Sequence, residues 1–177
     1  MIRRITLAQA VATLVFAAIA FPTGNAFAQQ KQHVSYKSPA ESAKYTQQTI
    51  IDVGDVPGHQ VRLFEIHRTY PANQPMVDGI KLVEHWTRGS SDYIDNNGSS
   101  VTYGIYVFEN GDKFFTRSSL VAQSPAPGKL TNMVVGTITG GTGKLAAIQG
   151  MVRSTGSAEP KAGVNETQTD IDYWFNK

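Results

Sequence analysis

Two glutamates and a histidine are the residues in this chain best placed to do acid–base chemistry. In VRLFEIHRT (61–69) an extended backbone puts Val61, Leu63, Glu65 and His67 on one face and Arg62, Phe64, Ile66 and Arg68 on the other. In IKLVEHW (80–86) the same alternation groups Ile80, Leu82, Glu84 and Trp86. If the faces carrying Leu63 and Leu82 point into an apolar interior, Glu65, His67, Glu84 and Trp86 enter a cavity. A carboxyl buried there has its pKa raised by desolvation and can act as an acid or a base. If the opposite faces point inward, the same residues are a charged outer surface. Arg117, in KFFTR, is a potential partner for a buried carboxylate or a surface cation. Tyr103 and Tyr106 lie on opposite faces of TYGIYVF, so one of them can offer a hydroxyl to the interior.

Other chemistries find little support. The histidines are His33, His59, His67 and His85, with no ligand-like spacing, and the chain has no cysteine. No metal site is expected, nor a thiol nucleophile. No Gly-x-Ser-x-Gly elbow is present, so a serine hydrolase lacks its motif. GGTGKLAAIQG (140–150) has the look of a phosphate loop, but a Walker loop would need glycine at Ile138 and a hydroxyl residue at Leu145. The Gly141-x-Gly143 spacing also lacks the helix a dinucleotide fold requires, because a strand pattern resumes at once. The reading is therefore structural. Gly141, Gly143 and Gly150 serve a tight connection, with Leu145 and Ile148 tucked beneath it and no cofactor implied.

Stepping outward, the elements that must position these residues begin after the first 28. MIRRITLAQAVATLVFAAIAFPTGNAFA has a positive start at Arg3-Arg4, an apolar run from Leu7 to Phe21 and an Ala26-Phe27-Ala28 cleavage signal. It reads as a secretory signal peptide, with cleavage expected between Ala28 and Gln29 and a periplasmic or secreted product without a membrane anchor. Sixteen basic residues less Arg3 and Arg4 leave fourteen, against fourteen acidic, so residues 29–177 are formally neutral. Neutrality argues against nucleic acid as a partner.

Residues 29–44 read as a polar leader. It contains a short helical turn at SPAES, with Ser38 as cap and Glu41 completing a capping box. Residues 45–177 read as one β domain. Strand patterns fall at 46–53, 59–70, 80–94, 101–108, 112–122, 130–139, 150–159 and 166–175, with hairpin signals at 96–100 and at Asn110-Gly111. About eight strands at this spacing suit an all-β barrel or sandwich.

GGTGKLAAIQGMVRSTG, the ENGDKFFTR hairpin before it and the closing TDIDYWF resemble the allene oxide cyclase-like barrel family, which is similar to the plant dirigent proteins. The resemblance runs from about residue 60 to the C-terminus. It implies an eight-stranded antiparallel barrel with an apolar central cavity, assembled as a homotrimer. Family members cyclise or isomerise reactive hydrophobic molecules, or steer couplings without doing the chemistry. The plant cyclase's catalytic residues have no match here, so its activity does not transfer. Three readings follow: an exported barrel that binds a small hydrophobic molecule, a cyclase- or isomerase-like enzyme using Glu65, His67 or Glu84, and a structural module with a filled barrel. The first is the expected one.

Overall fold

The computed structural model describes residues 30–176. Ten strands make up most of it: β1 (Gln32–Ser38), β2 (Ala43–Asp52), β3 (His59–Thr69), β4 (Met76–Val77), β5 (Ile80–Ile94), β6 (Asn97–Phe108), β7 (Lys113–Gln123), β8 (Leu130–Gly141), β9 (Ile148–Glu159) and β10 (Val164–Phe175). Every pairing is antiparallel, and the ladder runs β1-β10-β9-β8-β7-β6-β5-β3-β2. β4 is a short flap on β5. The two ends of the ladder, β1 and β2, are consecutive in the chain and joined only by Pro39–Ser42. They are two halves of one broken stave, so the sheet curls round on itself. Counted this way the barrel has eight staves, as expected.

The strands form because the sequence alternates. Ser100, Thr102, Gly104, Tyr106 and Phe108 of β6 are buried, while Val101 and Tyr103 between them are exposed. The β5–β6 hairpin turns on Asp95 and Asn96, both at positive φ, the backbone of a two-residue primed turn. The β6–β7 connection is the Asn110-Gly111 hairpin, with Gly111 at φ +85°.

Within the polar leader expected at residues 29–44, residues 32–38 instead form a strand that pairs along its length with β10, from Gln32 opposite Tyr173 to Ser38 opposite Thr167. Polar residues suffice there because a barrel stave needs only every second side chain inside. The turn at Ala40–Ser42 exists but is 3-10 and carries no side-chain cap. Ser38 is buried instead, 3.1 Å from the Tyr70 hydroxyl.

One end of the barrel is plugged. Leu82, Phe108, Phe114, Leu145, Ile148, Ile171 and Tyr173 pack there as one cluster. A smaller apolar collar of Tyr93, Ala122, Leu130 and Ala158 sits elsewhere in the interior. At three places the register slips by one residue, between Tyr45 and Gln47, between Leu82 and Glu84, and between Phe115 and Thr116. The second of these decides which residues of β5 reach the interior.

Candidate functional site

On β3 the inward face is the one with Phe64, Ile66 and Arg68; Ile66 and Arg68 are buried and Leu63 is 61% exposed. Glu65 and His67 therefore point outward, contrary to the acid–base expectation. Leu63 misleads because both faces of β3 carry apolar residues. On β5 the inward face starts with Ile80 and Leu82, as expected. The bulge at Val83 then inverts the alternation. His85, Thr87, Ser91 and Tyr93 line the interior, while Glu84 and Trp86 are turned out. Tyr103 is 54% exposed and faces outward opposite Arg117, which is also exposed. Of the expected cavity-lining residues only Tyr106 lines the cavity; Glu65, His67, Glu84, Trp86, Tyr103 and Arg117 do not.

Four of these outward residues nevertheless meet, on the outer wall. His67 stacks on Trp86 at 3.8 Å, with its Nε2 3.4 Å from Glu84 Oε2. Trp86 Nε1 donates to the same Glu84 oxygen at 3.0 Å. The Arg88 guanidinium lies over the Trp86 ring and donates to Glu65 Oε2 at 2.6 Å, and the Thr46 hydroxyl donates to Glu65 Oε1 at 2.6 Å. The Thr46 hydrogen bond, with help from Arg88, holds the Glu65 carboxyl below its ordinary pKa. That is the opposite of a carboxyl tuned to work as an acid near neutrality.

Inside the barrel is a cavity of about 100 Å³ that shares Arg62, Ser91 and Tyr93 with an open groove, the mouth, lined by the 95–97 turn and the 124–128 loop. Its walls are mainly apolar, through residues such as Phe64, Leu120, Leu130, Val134 and Val152, but a polar belt crosses it. Arg68 is the centre of that belt. It is 5% exposed. Its Nη2 donates to Asn165 Oδ1 at 2.5 Å and its Nη1 to Thr87 Oγ1 at 3.2 Å. Asn165 in turn donates to the Tyr45 hydroxyl at 3.2 Å, which ties β3, β10 and β2 together across the broken stave. Arg68 Nε is buried with no hydrogen-bond partner. Among the described residues no carboxylate lies within ion-pairing distance of Arg68, and none lines the cavity.

The neighbours of Arg68 are aromatic and neutral. His85 stacks on Tyr106 at 3.9 Å and Tyr106 on Phe114 at 4.2 Å, an inward stack of three rings. Burial, reinforced by the Arg68 charge, pushes the His85 imidazole well below its ordinary pKa, so it is neutral at pH 7. Burial pushes the phenols of Tyr36, Tyr70 and Tyr106 up, so they keep their protons. Arg62, on the same face of β3, lines both the cavity and the mouth, and its Nε is also buried without a partner. Neither arginine stood out in the sequence. The available signal was their shared face with Phe64 and Ile66.

The glycine loop has its own structural account. Gly143 sits at φ +53°, and a Cβ there would run into the Asp112 carboxylate. A Cβ on Gly141 would collide with the carbonyls of Leu145 and Lys113. Lys144 N–H donates to Asp112 Oδ2 at 3.0 Å, and Lys113 N–H to Thr142 Oγ1 at 2.9 Å. The anion this loop cradles is thus the chain's own Asp112, from the β6–β7 hairpin. Leu145 and Ile148 are buried beneath it.

Comparison with known proteins adds a few likenesses. No family model matches the chain, and no curated protein does. Two solved structures that it resembles are dirigent proteins. Both are pterocarpan synthase dirigent proteins. One is 16% identical at a TM-score of 0.48, covering 93% of this chain and 100% of the other. The second is 14% identical at a TM-score of 0.48, covering 85% and 97%. A pyocyanin demethylase is 15% identical at a TM-score of 0.41, covering 81% and 99%.

Proposed function

We propose that this chain is an exported barrel that holds a small, mainly apolar molecule in its central cavity. The observation that carries this is the cavity itself: about 100 Å³ with largely apolar walls and a mouth at one end. A space of that order accepts a single aromatic ring, as engineered cavities of similar size do. It speaks against a filled structural barrel. The acid–base alternative loses the residues that defined it, since Glu65, His67 and Glu84 lie on the outer wall.

Binding is tested by ligand-observed NMR with toluene, phenol and indole, followed by Val134→Trp, which fills the cavity from β8. Saturable binding abolished by Val134→Trp is the expected result. Binding that survives the filled cavity would place the molecule elsewhere.

Export and self-association belong to the same proposal. N-terminal sequencing of the periplasmic product should begin at Gln29; an intact Met1 overturns the signal reading. The outer wall supports association between copies, because Val121, Met133 and Val135 form an exposed apolar stripe across β7 and β8. Light scattering at micromolar concentration should report a trimer, and a monomer would remove that part alone.

A further inference from the structure

We propose that the molecule held in the barrel is an organic carboxylate, and that Arg68 is the residue that pairs with its anionic head. The inference rests on the container reading above and deepens it.

Arginine cannot shed its charge in a protein, so a buried Arg68 is a buried cation at any ordinary pH. A charge taken out of water is costly unless it is paired. The groups against it do not pair it. Asn165 and Thr87 are neutral and orient the guanidinium rather than cancel its charge. Tyr36 from β1, Tyr70 just after β3, His85 from β5 and Tyr106 from β6 surround it, and each is in its uncharged form at pH 7. Arg62, the second cation on this face, adds to the positive potential. On the outer wall and rim of the same two strands charged groups do find partners: Glu65 pairs with Arg88, and His59 with both Asp55 and Asp92. Arg68 is left without one where water is scarce.

The donors that remain fit a carboxylate. Nε–H has no partner, and Nη2 uses only one N–H on Asn165. Adjacent N–H groups of a planar guanidinium form a fork that matches two carboxylate oxygens. The apolar body of such a ligand would then run along Phe64, Leu120, Leu130 and Val134 towards the mouth, where Arg62 attracts an incoming anion.

The test is titration calorimetry of the purified protein with benzoate and with benzamide, which share a ring and differ in charge. Benzoate is expected to bind at least roughly tenfold more tightly, the scale of a desolvated charge-assisted pair. In Arg68→Met that preference should vanish while benzamide binding stays. The variant's melting temperature should hold or rise, because an unpaired buried charge has been replaced by an apolar side chain. Arg68→Lys, which keeps the charge but loses the fork, should retain part of the preference. It serves as the readout if the methionine variant does not fold. Equal affinity for the two compounds overturns the carboxylate inference and leaves the container standing. So does a preference that survives Arg68→Met or is lost only in Arg62→Gln. If neither compound binds, nor any of the neutral probes, the container reading falls as well.

Discussion

The two sides of β3 carry similar residue types and treat them differently. Outside, Glu65 meets Arg88 and Thr46, and His67 lies against Trp86 and Glu84. Inside, one residue further along, Arg68 meets only an amide and a hydroxyl. Charges that face water can be matched or left alone at little cost, since exposed ion pairs contribute little. A charge that faces the interior has no such freedom. An unmatched charge inside is therefore informative in a way that matched ones outside are not. The outer cluster looks more like an active site in sequence, and the inner one is where a ligand would be recognised.

The largest effect that should separate the two sides is at the inner ring stack. Phe114 is fully buried, and Phe114→Ala should cost about 3–5 kcal/mol. That corresponds to a fall in melting temperature on the order of 10 °C for a domain of this size. A loss of only a degree or two would mean that the interior is loosely packed and that the comparison overstates its order.

Next comes the glycine loop, where an outer anion is matched by backbone. Gly143→Val puts a β-branched residue at positive φ and against Asp112, and should cost roughly 1–3 kcal/mol in thermal melting. Lys144→Ala should change little, because the loop uses the Lys144 N–H, which alanine retains. A reversal, with Lys144→Ala the more damaging, would show that the ammonium has a role the hydrogen bonds do not reveal.

Acidification sharpens the contrast through two histidines. His85 has a lowered folded pKa, so the unfolded chain takes up that proton first as pH falls through about 6.5. Stability should therefore drop from there downward, and His85→Phe, which keeps the ring stack, should flatten that part of the pH–melting curve. His59 at the rim has its pKa raised by Asp92 and then Asp55. Its contribution is present below the unfolded value and fades as pH rises through the folded one. His59→Gln should thus lose stability on the acid side, the opposite sign. Identical pH profiles for His85→Phe and the wild type would show that His85 is not buried away from protons.

The smallest effect is expected at the outer pair. Glu65→Gln should leave the midpoint of denaturant unfolding almost unchanged. A large fall in that midpoint would place the outer cluster among the elements that hold the barrel together.

The strands were legible because alternation is a local property. The paths of β5 through β10 follow from period-two patterning and from Gly and Asn at the turns. Which face of each strand points inward was less legible. On β3 the inner face carries Arg62 and Arg68, so a hydrophobic count does not select it. On β5 one extra residue, Val83, reverses the assignment halfway along, and nothing in IKLVEHW marks it as a bulge. β1 was missed because QHVSYKS is polar, and only its register against β10 makes it a strand. The Asp112–glycine loop contact was half legible. Both motifs stand out in the sequence, but nothing there marks one as the source of the anion for the other.

The broken stave also sets an order of events. β5 to β10 form a run of neighbouring hairpins, each able to pair as the chain lengthens. The seam between β1 and β10 is different: there Tyr173 reaches Gln32, 141 residues away. β1 must find β10, at the other end of the sheet's chain order, before it has its main partner, and bringing such distant segments together slows folding. Until that seam closes, Asn165 of β10 has not reached Arg68, and the guanidinium remains in water. Before the seam closes the chain is an open, solvated sheet, and its interior forms only in the last step of folding.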